Sequence, residues 1–325
     1  MNKRYLLSFD FDGTIAETFK KGHRGIGVNE ATENAIRDIL GEEGVNQFNK
    51  LGGLSNRAPS ELINLILKTN IKEFTQKAHN FFQDNANHLS SLVLTTKGTP
   101  LVWDEKKVEQ LVSELFVRKK LLYLLEQVGE KTADGQLWPP LTQGFLEFWG
   151  TVQKLKEEDI PLDTTIISSG HDFFINKVFE LYNLSKPDII VSEDDIRSRK
   201  YPKEIERRVK PGELPLALAH FYWLKEQGIN HLNFDLETAK EVRNRMIYFG
   251  DDPSKDGKLS ERAKIHFGLF DPNNLILMEQ GNFSKFEDWQ TIGKLLEANK
   301  EMFNGGESLN RILKTERSLG SPELK

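Results

Sequence analysis

The stretch "YLLSFDFDGTIAET", Tyr5–Thr18, decides the fold. From Tyr5 to Phe11 it is short and largely apolar, which reads as a buried strand, and Gly13-Thr14 breaks it. The strand ends in two carboxylates, Asp10 and Asp12, separated only by Phe11. Side chains two apart on an extended chain point to the same side. Two like charges are therefore brought together at the end of a buried segment, and something must offset their repulsion.

Working outward, the same kind of strand returns only after residue 136. "IPLDTTIIS" (160–168), "PDIIVS" (187–192), "RMIYFG" (245–250) and "IHFGLF" (265–270) read as strands. Between them Phe145, Phe148, Trp149, Val152 and Leu155, then Phe174 and Val178, then Leu214, Ala217, Leu218, Phe221 and Leu224 keep helical spacing. Strands alternating with helices imply an α/β fold with a doubly wound, mostly parallel sheet. Residues 29–131 follow a different rhythm. Leu62, Ile63 and Ile66 form one helical stripe, Phe74, Ala78, Phe81 and Phe82 a second, and Val108, Leu111, Val112, Leu115, Leu122 and Leu125 a third. Asp134-Gly135 and Pro139-Pro140 mark the return to the sheet. The expected organisation is an α/β core of residues 1–16 and 137–303, a helical insertion of residues 17–136, and a polar tail of residues 304–325.

Composition narrows the chemistry. The chain has 325 residues, 38% hydrophobic and 29% charged, with a net charge of -5, ordinary values for a globular protein with a core of its own. That charge offers no general attraction to nucleic acid or to an anionic membrane, so neither is expected as a partner. The absence of cysteine excludes disulfides, thiolate nucleophiles and thiolate-bound zinc. The apolar stretch after Lys3 and Arg4 stops at Asp10, too short for a signal-peptide core, and a cytoplasmic location is expected.

Ligands of open α/β sheets bind at the carboxyl ends of the strands. Here those ends carry Asp10 and Asp12, then Ser168, Ser169 and Gly170, then Asp251, Asp252 and Asp256 in "GDDPSKD". One such aspartate is an ordinary helix cap or turn residue; three loaded strand ends make a carboxylate-rich crevice that needs a cation. Hard oxygen donors without His or Cys suit magnesium, whose shell is commonly completed by substrate phosphate.

These segments together resemble the haloacid dehalogenase superfamily: "DFDGT" its first motif, "IISSG" its second, a lysine such as Lys210 in "RVKPGE" its third, and "YFGDDPSKD" its fourth. The resemblance covers residues 5–16 and 138–272. It implies that Asp10 is the nucleophile and becomes an aspartyl phosphate, and that Asp12 is the general acid and base. It further implies that Ser168 and Lys210 hold the phosphoryl group, with Thr14, Ser169 and Gly170 in the substrate-binding set. Magnesium is implied on Asp10, Asp251 and the backbone carbonyl of Asp12, with Asp252 or Asp256 orienting waters or the lysine. Lys200 and Lys203 compete with Lys210 for the lysine role; Lys210 is preferred because it stands just before a helix. The insertion occupies the position of the family's C1 cap, which covers the site and selects the leaving group. Within it Arg57, in the polar stretch "LGGLSNRAPSEL", is the first candidate for substrate contact.

The function implied is magnesium-dependent hydrolysis of a small phosphorylated metabolite. The same groups passing the phosphoryl to an alcohol would make a phosphotransferase or sugar-phosphate mutase, and a chain that kept the fold without turnover would be a binding protein. Sequence leaves these open, as it does the substrate and the oligomeric state. Carbon–halogen cleavage fits less well, because it needs neither a proton shuttle at Asp12 nor a metal cluster.

Overall fold

In β1 (Tyr5–Phe9) the side chains of Tyr5, Leu7 and Phe9 enter the apolar core on one side of a sheet, and Leu6 enters the core on the other. All five residues are buried, as a central strand covered on both faces requires. The computed structural model describes residues 4–53, 59–91, 101–197, 210–229, 235–276 and 283–314. Arg57, Lys200 and Lys203 lie outside the described residues.

Five more strands join β1: β2 (Leu162–Ile167), β3 (Ile189–Val191), β4 (Met246–Gly250), β5 (His266–Phe270) and β6 (Phe283–Phe286). Their order is β3-β2-β1-β4-β5-β6 and every pairing is parallel. The architecture is thus the doubly wound α/β sheet that the strand–helix alternation implies. β6 was not anticipated, because "FSKF" is four residues long and a strand that pairs only with β5 needs little apolar sequence of its own. The chain leaves β1 for β2 on one side and comes back to β4 on the other, so the order reverses between β1 and β4. A crevice forms at the carboxyl end of such a switch point, where Asp10 and Asp251 stand.

Between β1 and β2 lies the helical insertion, with α1 (Val28–Lys50), α2 (Pro59–Thr69), α3 (Ile71–Ser91) and α4 (Val108–Leu125). α1 breaks at Gly41, whose φ of 76° lies in the left-handed region that glycine alone enters without strain. The stripes behave as expected of core faces: Leu62, Ile63, Ile66, Phe74, Ala78, Leu111, Val112 and Leu115 are buried, while Phe81 and Phe82 are half-buried against them. Short bridges Gly22–Thr132 and Ala16–Leu141 tie the entering and leaving segments together, and α4 packs on α6 (Asp172–Leu181) of the core.

The Tyr5 face of the sheet is covered by α5 (Phe145–Glu157), α6 and, further along, α11 (Trp289–Ala298). Phe9, Phe145, Phe148, Trp149, Phe249 and Trp289 meet there, with ring centroids between 4.8 and 6.4 Å apart. Offset and edge contacts of this kind add about 0.5–1.5 kcal/mol per pair beyond burial. The opposite face is covered by α7 (Glu193–Arg197), α8 (Leu214–Glu226), α9 (Leu236–Asn244) and α10 (Lys258–Ala263), through Ile196, Trp223, Val242 and Leu259.

Part of the stretch read as a polar tail is packed: after α12 (Lys300–Asn304), α13 (Leu309–Lys314) buries Leu309, Ile312 and Leu313. The hydroxyl of Tyr5 donates to the Glu307 carbonyl at 2.7 Å, and its ring meets Phe303 edge-on. A polar average had concealed three apolar residues at helical spacing. Residues 315–325 lie outside the described part. Among the described residues no helix is long and apolar enough to cross a membrane.

Candidate active site

The backbone after β1 turns at once. The Asp10 amide donates to the Phe249 carbonyl, which keeps Asp10 in register with β4, and Gly13 then adopts a φ of 82°. A Cβ on Gly13 would collide with the carboxylate of Asp251, so glycine is needed there both for its conformation and for its missing side chain. The loop is braced from beneath: the Thr142 hydroxyl and the Trp289 indole donate to the Thr14 carbonyl at 2.6 and 3.0 Å.

This turn brings four of the expected residues together. Oxygens of Asp10, Asp251 and Asp256 lie within 4.8 Å of one another. Lys210, at the foot of α8, places its ammonium 2.5 Å from Asp10 and 2.9 Å from Asp256. Asp256 is fully buried and also accepts from the Tyr248 hydroxyl at 3.2 Å and the Asp252 amide at 3.3 Å. It therefore works chiefly as the holder of Lys210. Tyr248 extends this support: its hydroxyl accepts from Lys210 at 3.1 Å, and its single proton is shared between Asp256 and the Ile167 carbonyl, each 3.2 Å away.

The remaining expected residues fall into separate places. Asp12 stands apart from the three-carboxylate group: its oxygens accept from Thr18 at 2.6 Å and, more loosely, from Ser168 at 3.4 Å. Ser168 is itself buried and accepts from the Gly170 amide at 2.8 Å, while Ser169 and Gly170 line the cavity. Thr14, expected on the substrate, is fully buried and donates to Asp251 at 3.0 Å; its position is behind a carboxylate because the Gly13 turn folds it under the loop. Asp252, expected near the metal, is committed to capping the turn at Pro253–Gly257 through the amides of Ser254 and Lys255. Its carboxylate is outside the group of three.

Electrostatics at the cluster are unbalanced. Burial, and then the neighbouring Asp256, push the Asp251 carboxyl up to about 6. Burial, opposed by Lys210 and reinforced by Asp256, Asp251 and Asp12, holds Asp10 well above the usual carboxylate range. Burial pulls Lys210 down, but Asp10 and Asp256 outweigh it and keep its ammonium charged. Among the described residues, three carboxylates share one lysine, and all the donors are hard oxygens. The residues present fit a divalent cation, which oxygens of Asp10, Asp251 and Asp256 could hold.

In the unfolded chain Asp251 ionises near 3.8, whereas in the folded chain it keeps its proton to about 6. Without divalent cation, stability therefore falls as pH rises through that window, and the whole penalty is present above it. Excess Mg2+ should raise the melting temperature at about pH 7.5 by roughly 5–10 °C, and far less at about pH 5, where proton and metal compete. Scanning calorimetry at the two pH values, with EDTA or Mg2+, checks it.

A cavity of about 660 Å³ opens between the strand ends and the helical insertion. Asp10, Asp12, Asp251 and Lys210 line its floor, and Phe48, Lys120 and Leu124 its roof. Sequence reading missed Thr18, Tyr248 and Lys120. Thr18 lies within the opening motif and Tyr248 two residues before Gly250, so both were near a signal; Lys120 sits in the helical run "FVRKKLL" and had none.

No family model and no curated protein matches this chain. Among solved structures it is similar to a HAD phosphatase from Thermococcus onnurineus, 14% identical over 94% of this chain and 100% of that one, with a TM-score of 0.39. It is also similar to a 2-haloacid dehalogenase from Pseudomonas syringae pv. Tomato DC3000, at 16% identity, 91% and 99% coverage and a TM-score of 0.42. A further likeness is to YfnB from Bacillus subtilis, described as a HAD-hydrolase bound to magnesium, at 16% identity, 90% and 99% coverage and a TM-score of 0.39.

Proposed function

We propose that this chain is a Mg2+-dependent phosphomonoester hydrolase of the haloacid dehalogenase type, acting on a small phosphorylated metabolite through an aspartyl phosphate on Asp10. The observation that carries the reading is the division between two carboxylates two residues apart. Asp10 sits in the buried acidic group beside Lys210, whereas Asp12 sits outside it on the hydroxyl of Thr18.

Each group then has work suited to its surroundings. An Asp10 oxygen attacks phosphorus, and the ester bond to the alcohol breaks. Asp12 serves as general acid to the departing oxygen, then as general base it accepts a proton from the water that attacks the aspartyl phosphate. The second displacement returns Asp10 as a carboxylate and releases inorganic phosphate. Lys210, fixed by Asp256 and Tyr248, supplies positive charge at the phosphoryl oxygens without reorganising. Ser169 and Gly170 border the same space, and the Gly170 amide donates to the buried Ser168 hydroxyl beside it. When bound, a divalent cation provides the charge that lets an anionic nucleophile meet an anionic ester.

The helical insertion roofs the cavity, so it excludes bulk water and meets the alcohol half of the ester. A carbon–halogen substrate would leave both the acidic group and the Asp12–Thr18 pair without a task. Phosphate release from a panel of phosphorylated metabolites, with Mg2+ and with EDTA, tests the proposal. Metal-dependent release from small monoesters is expected. A protein that binds Mg2+ yet releases phosphate from none of them would overturn the reading in favour of a binding protein.

A further inference from the structure

Among the described residues three lysines line the cavity, and two of them already have anions. Lys210 is paired with Asp10 and Asp256, and Lys255 with Asp252 at 3.4 Å. Lys120 is different. It comes from α4 in the roof, its side chain is only 3% exposed, and it makes no hydrogen bond or ion pair with any described residue. Leu124, one helical turn further on, lines the same cavity, so this face of α4 looks into the space above the strand ends.

A buried, unpaired ammonium is costly, and a fold does not keep one for packing when a methionine would fill the same volume. Burial indeed pulls the Lys120 ammonium below the usual lysine range. The carboxylates whose fields reach it are Glu193, Asp12 and Asp194. Asp194 is engaged by His171 at 3.1 Å and by the Asp172 amide at 3.2 Å, and Glu193 lies 3.7 Å from the other nitrogen of His171. Asp194 is thus engaged within the core, and among the described residues neither acid forms an ion pair with Lys120 within 4 Å. Asp12, the group that protonates the leaving oxygen in the reading above, lines the same cavity as Lys120, whose place in the roof faces the alcohol half of the ester.

We propose that Lys120 binds an anionic substituent on the alcohol half of the substrate, so that the preferred ester is a phosphorylated hydroxy acid and not the ester of a neutral alcohol. The proposal rests on the phosphatase reading. The cavity holds both halves of such a molecule, since about 660 Å³ exceeds what a phosphoryl group needs.

The test uses the full chain with Mg2+ and two matched pairs of esters that differ in a carboxylate: phosphoglycerate against glycerol phosphate, and phosphoserine against phosphoethanolamine. Wild-type kcat/KM should favour the carboxylate-bearing member of each pair by about tenfold or more, the usual strength of a desolvated charge-assisted hydrogen bond. In Lys120→Met that preference should fall at least about fivefold, mainly through a higher KM for the acid, and Lys120→Arg should recover part of it. The melting temperature of Lys120→Met should equal or exceed that of the wild type, because an unpaired buried charge has been removed. Equal kcat/KM within both pairs, or a preference that survives Lys120→Met, overturns the assignment. A lower melting temperature with the preference intact would make Lys120 a structural residue and also overturns it. para-Nitrophenyl phosphate separates the two failures. Release from it without selectivity in the pairs sinks only the role of Lys120, whereas release from no ester at all sinks the phosphatase reading beneath it.

Discussion

Asp10→Asn should lower kcat by at least about 10⁴-fold on every ester the wild type hydrolyses, the scale expected when a covalent nucleophile is removed. The amide keeps the shape of the side chain and can still accept a hydrogen bond from Lys210, so the geometry of the crevice is retained. It cannot carry the negative charge that attacks phosphorus. Stability should move the other way. Asp10 is one of three carboxylates sharing a single lysine, and burial already holds it well above its ordinary range. Neutralising it relieves repulsion on Asp251 and Asp256, so in EDTA the variant should melt at or above the wild-type temperature. Loss of turnover without loss of folding is the signature that separates a nucleophile from a structural aspartate. Phosphate-release kinetics and calorimetry on the same preparation give both numbers.

Lys210→Met should damage both properties. Its ammonium is buried between Asp10 and Asp256, and Asp256 is fully enclosed. Removing one partner of such a group leaves uncompensated charge in a low-dielectric interior and costs about 3–5 kcal/mol. Activity should fall by about 10³-fold or more, because a fixed positive charge at the phosphoryl oxygens is lost together with the alignment of Asp10. The pH dependence has a definite sign. The pKa of Lys210 is raised on folding, so its own contribution is fully present below the ordinary lysine value and is lost only in strong alkali. Across neutral pH the variant's defect therefore follows the carboxylates, which repel one another only when ionised. The fall in melting temperature relative to wild type should be greater at about pH 8 than at about pH 5, where protonation relieves the site. Melts across this range, run in EDTA, decide it.

How much of this could be read from residues alone varied with the range of the interactions. The sheet was legible because the largely apolar run Tyr5–Phe9 and the apolar runs ending at Ile167, Val191, Gly250 and Phe270 are local properties. The strand order, and with it the switch point between β1 and β4, came from the structure. Asp10 and Asp251 were legible because each ends a strand, and the topology delivers strand ends to one crevice. Lys210 carried a weaker signal, its place just before a helix, and it is the structure that sets it against Asp10. Thr14 and Asp252 were assigned to substrate and metal by position in a motif, whereas their side chains are taken up by Asp251 and by the Ser254 and Lys255 amides. Sequence proximity to a site does not say which way a hydroxyl or carboxylate faces. Lys120 was illegible for a different reason. It lies more than a hundred residues from Asp12 along the chain, and only the packing of α4 over the strand ends brings the two within reach of each other's field.

The central claim is that turnover passes through a phosphoryl group bonded to Asp10, and it can be observed directly. The protein would be mixed with Mg2+ and a hydrolysed ester, quenched in acid during steady turnover, digested, and the peptide containing Asp10 and Asp12 sequenced by tandem mass spectrometry. The account predicts a phosphoryl mass increment located on Asp10, absent from Asp12 and absent in Asp10→Asn. Turnover that proceeds with no phosphorylated Asp10 peptide at any quench time, or with the increment on another residue, would contradict it.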